Sequence, residues 1–321
     1  MEWQNNVNTV SLNEDDKLPA LLIANLSSWK AIIVTGDDKK NYLQGQVTCD
    51  VVKLESNQST LGSQCDAKGK VWSIFRLFNH NEGYALFQHG SAIDTSLTEI
   101  KKYAVFSKVD IHIIDNIALG VLGHEAQQFI DKLSEQTGNV RSINGGTAVK
   151  IEENRWLLLL DSHSALKLVE SLPETLLSDE SVWDKCDIEA AVPRITQNNQ
   201  NEYIPQAFNL HSLDAISFSK GCYTGQETVA RAKYRGTNKR SMFIVEGKLK
   251  SSDDSLIQLE RSVGENWRSA GSLMAHYQYA DGTSIGLIVL PNNLDLDTKL
   301  RQVNEPNSDW HIKPLPYSID E

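Results

Sequence analysis

One stretch of the chain combines a nucleophile, a cation and loop-forming glycines: Ser219-Lys220-Gly221-Cys222-Tyr223-Thr224-Gly225-Gln226-Glu227, followed by the helix-compatible Thr228–Tyr234. A thiol reacts as its thiolate, which a nearby cation or the partial positive charge of a helix N-terminus favours. Lys220 supplies the cation. Thr224 and Glu227 have capping-box spacing, which predicts a helix starting at Thr224, two residues after Cys222. Both effects lower the expected pKa of Cys222 and suit it to a soft metal centre or a mixed disulfide. Gly221 and Gly225 allow another molecule to approach the main chain closely. The competing reading is a buried, inert thiol, since free cysteine is among the most interior residue types.

Between Thr228 and Val245 stand Arg231, Lys233, Arg235, Lys239 and Arg240, with no acid. In a chain of 31 basic and 42 acidic residues, net −11, this is a local positive island. The overall charge repels polyanions, so a phosphate backbone, a polyglutamate tail or an acidic protein would have to bind here. A solvated helix face is the plainer alternative. Tyr234 is the only aromatic residue inside the cluster, which counts against base stacking and direct tRNA contact.

Other chemistries find less support. Cys49, Cys65, Cys186 and Cys222 form no Cys-x-x-Cys pair, so neither a disulfide framework nor a stable metal site is indicated. No His-Glu-x-x-His, Gly-x-Ser-x-Gly or Gly-Lys-Ser/Thr loop occurs. Trp29 and Trp183 adjoin the charged Lys30 and Asp184; core packing is their default, and stacking on a flat heteroaromatic ligand is the alternative.

The elements that must position these residues follow from periodicity. Ala31–Val34 reads as a buried strand ending at Thr35-Gly36, with Asp37 placed to cap a helix that runs to Gln44 and ends at Gly45. Leu61–Cys65 and Val71–Phe78 form an expected hairpin about the Asp66-Ala67-Lys68-Gly69 turn. Further strands are expected at Tyr84–Gln88, Val109–Ile114, Ala118–Leu122 and Trp156–Leu160, and helices at Glu125–Gln136 and Ala165–Leu172. The polar stretch Gln197–Glu202 reads as a solvated loop. Beyond Gly236, short β-type runs at Ser241–Glu246, Ser269–Leu273 and Ile285–Leu290 predict a separate all-β unit, a barrel or small sandwich. The class is α+β, in two or three domains at roughly 100–200 residues each. No apolar run approaches a membrane span, and the polar start Met1–Asp16 lacks a secretory pattern, so a cytoplasmic protein is expected.

The run Lys220–Glu227 makes a family resemblance specific. With Tyr42–Thr48, Cys65–Lys70, Lys101–Lys108, Ile204-Pro205-Gln206 and Asn238-Lys239-Arg240, the chain resembles the YgfZ-type folate-binding, tRNA-modifying proteins, relatives of the glycine-cleavage T-protein. The resemblance covers nearly the whole chain. It implies two α+β domains, one interrupting the other, and a C-terminal β-barrel, around a central hole. In this numbering they are 1–50 with 112–238, then 51–111, then 239–321. It also implies tetrahydrofolate or a derivative as ligand, with Trp29 and Trp183 at the folate, and iron–sulfur client enzymes such as those that methylthiolate tRNA. Cys222 would be the working thiol, with a transient iron–sulfur species as its cargo. The T-protein relatives carry paired aspartates, one of them catalytic, where this chain has Ser73 and Ile74, and their Pro-x-Glu element reads Pro205-Gln206-Ala207. Aminomethyl transfer is therefore in doubt, and an accessory role is expected rather than catalysis. The alternatives are a folate-dependent one-carbon transferase using Asp66, and a direct tRNA-binding module.

Overall fold

The computed structural model describes residues 7–249 and 256–319; Met1–Asn6, part of the polar start, lie outside them. Three sheets organise the chain. The first has the strand order Leu177–Ser178, Leu22–Asn25, Ile117–Leu122, Arg155–Leu160, Gly146–Glu152 and Val140–Ile143. Among its described strands the Leu177–Ser178 pairing to Leu22–Asn25 is parallel and the others are antiparallel. The second is antiparallel, in the order Ser59–Cys65, Val71–His80, Gly83–His89, Trp29–Thr35 and Asp110–Ile113. The expected domain limits at 50/51 and 111/112 cut across this second sheet, because its strand Trp29–Thr35 is paired to both Gly83–His89 and Asp110–Ile113.

The run Arg155–Leu160 is buried at every residue, and alternation explains why. Successive side chains leave a strand on opposite faces. Trp156, Leu158 and Leu160 pack under α3 (Ala126–Leu133) and α4 (Ser162–Glu170), through Ala126, Ile130, Ala165 and Val169. Leu157 and Leu159 face the second sheet and meet Ala31, Ile33, Phe78 and Phe87. The far side of that sheet presents Ile32, Val34, Phe75, Leu77 and Leu86 to α1 (Lys39–Gln44) and α2 (Ile93–Lys101). The result is helix, sheet, sheet, helix. Each fully buried Leu, Ile or Phe contributes about 1.5–3 kcal/mol over exposure.

The third sheet is antiparallel, ordered Asn266–Ser272, Gln258–Val263, Leu300–Gln302, Glu305–Lys313, Arg240–Lys248, Thr283–Pro291 and Ala275–Gln278. Its two edge strands are consecutive in the chain, separated only by Leu273-Met274. Laid flat, seven strands would hold those edges roughly 29 Å apart at ~4.8 Å spacing. The connection spans at most about 11 Å. The sheet therefore curls round on itself, as expected of the all-β unit past Gly236. Trp310 fills its interior with Leu259, Leu290 and Leu300.

Several local expectations are corrected. The residue before α1 is Asp38, not Asp37, and it makes no side-chain cap; its carboxylate instead accepts the Lys108 N–H (2.7 Å). Gln197–Glu202 is not a plain solvated loop. Its Gln200 amide donates to the carbonyls of Trp72 (2.9 Å) and Ala92 (3.0 Å), and Asn201 N–H donates to Val71 (2.7 Å). Polar side chains that bond backbone look like surface residues in sequence but act as clasps.

Candidate functional site

Cys222 lies in a loop pinned on both sides to residues 45–49. Upstream, Ser217 N–H donates to Thr48 O (2.9 Å), and Lys220 Nζ donates to Val47 O and Cys49 O, both at 2.7 Å. Downstream, Thr224 N–H donates to Gly45 O (3.1 Å). Between these anchors Gly221 and Cys222 are exposed and Tyr223 is buried. Gly225 has φ +85°, and a Cβ there would lie 2.5 Å from Asp66 O and 2.9 Å from Gly69 Cα, so only glycine lets the loop sit on the hairpin turn.

Two sequence expectations fail here. The helix α6 (Gln226–Arg235) starts from Gly225 with no side-chain cap, so the Thr224–Glu227 capping box does not form. The left-handed Gly225 sets the helix start one residue later; Thr224 Oγ1 turns to Gln46 (3.4 Å) and Glu227 pairs with Arg231 (2.6 Å). Lys220, expected beside the sulfur, is buried with its ammonium on backbone carbonyls. Burial pushes its pKa down to about 8, opposed by Cys49 and Asp50. Its hydrogen bonds make it an anchor of the loop.

The other thiols are buried, and burial pushes Cys49 and Cys65 up to about 12 and Cys186 up to about 11. They are protonated at any physiological pH. Iodoacetamide is therefore expected to label the native protein once, at Cys222, and four times in denaturant. Mass spectrometry of the two samples checks this, and labelling of Cys65 in the native state would contradict the packing.

On α6, Arg231, Lys233, Tyr234 and Arg235 are exposed, as is Lys239 beyond it. Part of the cluster is engaged: Arg231 with Glu227, Lys233 over Phe218 (4.0 Å), and Arg240 over Tyr203 (5.4 Å). Phe218 also meets Tyr234 edge-on at 6.3 Å, an aromatic neighbour that sequence adjacency does not reveal.

Trp29 and Trp183 are brought together. Both line one small cavity, of about 40 Å³, with Ile74, Arg76, Phe87 and Asp187. Trp29 stacks on Phe87 (5.2 Å, 12°) and is covered by the Arg194 guanidinium at 4.9 Å. Trp183, on α5 (Ser181–Glu189), lies between Gly120, where a Cβ would come within 2.5 Å of the ring, and Arg155 at 4.6 Å. Asp187 joins the two halves, with Oδ1 2.6 Å from Arg155 and Oδ2 3.3 Å from Arg194. Arg194 also pairs with Asp184 (2.6 Å). Burial and the Arg194 cation push His89 down to about 4, so its ring sits neutral against the edge of Trp29. Trp29 also borders a second cavity of about 330 Å³, lined by Asn25, Ser27, Lys30, Ile114 and Asn116, a size within the range of small-molecule sites. Trp29 Nε1 is buried with no hydrogen-bond partner among the described residues.

Sequence reasoning missed Arg76, Arg155, Asp187 and Arg194. One signal was available: Arg155 opens an otherwise apolar strand, and a charge entering a core must find a partner. Ser73 is buried and receives a hydrogen bond from Ser96 (3.1 Å), while Ile74 lines the tryptophan cavity. Asp66 is a turn residue, its Oδ1 accepting the N–H groups of Lys68 (2.9 Å) and Lys70 (2.8 Å). Gln206 is buried and donates to Val229 O (2.6 Å), holding α6.

A family model described as the YgfZ β-barrel domain matches residues 238–305. The chain is 56% identical to tRNA-modifying protein YgfZ of Vibrio atlanticus, covering 100% of both. It is 51% identical to the protein of that name in Photobacterium profundum, over 98% of this chain and 97% of the other. The chain belongs to the YgfZ family. A counterpart in Serratia proteamaculans is 43% identical over 95% of this chain and 94% of its own. The crystal structure of the glycine cleavage system aminomethyltransferase T from Bartonella henselae superposes with a TM-score of 0.72 at 12% identity, over 92% of this chain and 86% of that one. The second likeness establishes the α+β fold that this YgfZ-family chain shares with the T-protein. No helix of the described residues is long and apolar enough to cross a membrane.

Proposed function

We propose that this chain is a folate-binding accessory protein that supports iron–sulfur enzymes and thereby tRNA modification, with Cys222 as its working thiol. The observation that carries the folate half is the cavity of about 330 Å³ bordered by Trp29, beside the hollow of about 40 Å³ that Trp29 shares with Trp183 and with Ile74 in its wall. The indole faces are already covered, by Phe87 and Arg194 on Trp29 and by Gly120 and Arg155 on Trp183, so the ligand group offered is the buried Trp29 indole N–H, which has no partner among the described residues and suits an acceptor atom. Trp29, Trp183, Arg76 and Arg194 would hold the folate. Bound tetrahydrofolate would supply a one-carbon carrier or a reductant; the residues around it supply binding and the exclusion of water.

The same wall argues against transfer chemistry. Ile74 has no carboxylate, Asp187 is tied to two guanidiniums, and the Asp66 carboxylate serves the hairpin turn. One exposed thiol supplies one of the four ligands a cluster usually takes. Any iron–sulfur species at Cys222 is thus cargo shared with a client enzyme, and the transfer is a ligand exchange between thiolates.

Titration of intrinsic tryptophan fluorescence with tetrahydrofolate tests the pocket. Trp29→Phe and Trp183→Phe are each expected to weaken affinity about tenfold, in line with the ~0.5–1.5 kcal/mol of an aromatic pair plus lost contact area. Unchanged affinity in both variants would place the ligand elsewhere. In parallel, the wild-type chain should restore methylthiolated tRNA to a bacterial strain lacking its YgfZ protein.

A further inference from the structure

Past α2 the chain turns through Lys101-Lys102-Tyr103-Ala104-Val105-Phe106-Ser107-Lys108. Tyr103 is 57% exposed, Val105 80% and Phe106 99%. Single exposed apolar residues are ordinary, but three within four positions form a patch that marks an interaction site. The segment is firmly held. Ala104–Phe106 form a 3₁₀ turn closed by Ser107 N–H to Ala104 O (2.9 Å), and the backbone of Lys108 exchanges hydrogen bonds with Asp38 (2.7 and 3.3 Å). Gly36, at φ +99°, packs so closely that a Cβ would meet Lys108 O at 2.2 Å. The fold holds an apolar knob out in water, already in the shape it would present to a partner.

The segment before the knob and the Cys222 loop are both tied to α1. The Tyr42 hydroxyl, on α1, donates to Ile100 O just before the knob, while Gly45, three residues on at the end of α1, accepts the Thr224 N–H.

We propose that Tyr103, Val105 and Phe106 are the docking knob for a client protein that presents an apolar pocket rimmed by carboxylates. The proposal rests on the reading of Cys222 as a thiol serving a client enzyme. Tyr103 and Phe106 offer faces that a nucleobase could also stack on, but the equally prominent aliphatic Val105, 80% exposed, gains only from an apolar pocket. The exposed Lys101, Lys102 and Lys108 bracket the knob; Lys102 pairs with Glu99, so Lys101 and Lys108 are the cations that select an acidic rim. Fully exposed aromatic side chains that enter a partner's pocket dominate binding.

The test uses a purified iron–sulfur tRNA-methylthiolating enzyme as probe, titrated calorimetrically against wild type and the Val105→Ser/Phe106→Ser double variant. Affinity is expected to fall at least tenfold, and further at high salt or in Lys101→Glu/Lys108→Glu, with tetrahydrofolate affinity and melting temperature unchanged. Equal affinity of the double variant and wild type overturns the docking surface. Absence of a wild-type complex also overturns it; rescue of methylthiolated tRNA by wild type but not by Cys222→Ser would then show that the thiol reading stands alone. If the double variant instead loses only a tRNA gel shift, or only binding to vesicles of anionic phospholipid, the knob serves RNA or lipid and the protein-partner assignment falls.

Discussion

Asp187→Ala is expected to destabilise the fold by about 3–5 kcal/mol, the range for removing one partner of a buried ion pair. The Asp187 side chain is 7% exposed and holds two guanidiniums that are themselves 2% and 5% exposed, Arg155 and Arg194. Without it each arginine keeps one other carboxylate, Glu152 at 2.8 Å and Asp184 at 2.6 Å, but the charge at the centre of the cluster is unbalanced. The damage should spread to the ligand site, since Arg155 lies on Trp183 and Arg194 on Trp29. Asp187→Asn preserves the shape and one acceptor, so it should fall between wild type and alanine. Urea unfolding followed by tryptophan fluorescence checks this. The midpoint should drop by about 1 M or more, given slopes of roughly 1–3 kcal/mol/M. A shift too small to resolve would mean that the cluster contributes nothing to stability. Because the chain holds several sheets that need not unfold together, the midpoint of the tryptophan transition is the quantity to compare.

Cys222→Ser is expected to abolish function while leaving the fold intact. The side chain is exposed, and the loop around it is held by Lys220 and Thr224 rather than by the sulfur. Surface replacements of this kind usually lie within about 0.5 kcal/mol of wild type. Serine keeps the shape but offers a hard hydroxyl in place of a soft thiolate, so it neither ligates iron–sulfur species nor forms a mixed disulfide. In a strain lacking the endogenous protein, methylthiolated tRNA should stay at the level of the empty vector. Tetrahydrofolate titration of the purified variant should match wild type. Full restoration by the serine protein would remove the thiol from the mechanism.

Much of the scaffold was legible because it rests on local patterns. The Leu61–Cys65 and Val71–Phe78 hairpin, the strand at Ala31–Val34 and the change of texture past Gly236 all follow from alternation and turn residues, and each corresponds to an element of the structure. Features that depend on side-chain direction were misread. Lys220 is a cation beside a cysteine in sequence, yet its flexible stem folds back to the carbonyls of Val47 and Cys49. Thr224 and Glu227 have the right spacing for a capping box, but the left-handed Gly225 shifts the helix start by one residue. Capping geometry depends on a backbone angle, which spacing cannot specify.

The sequence by itself determined the α+β class, the all-β C-terminal unit, the family and the single conspicuous thiol, because those are carried by residue types at fixed short intervals. Tertiary structure alone decided that Trp29 and Trp183, far apart in the chain, share a cavity, and that Asp187 ties together the arginines lying on them. It also decided that Cys222 is exposed while three other cysteines are not. Burial and charge pairing depend on which elements pack face to face. That is set by the summed contacts of sheets built from distant segments, not by any neighbour in the chain.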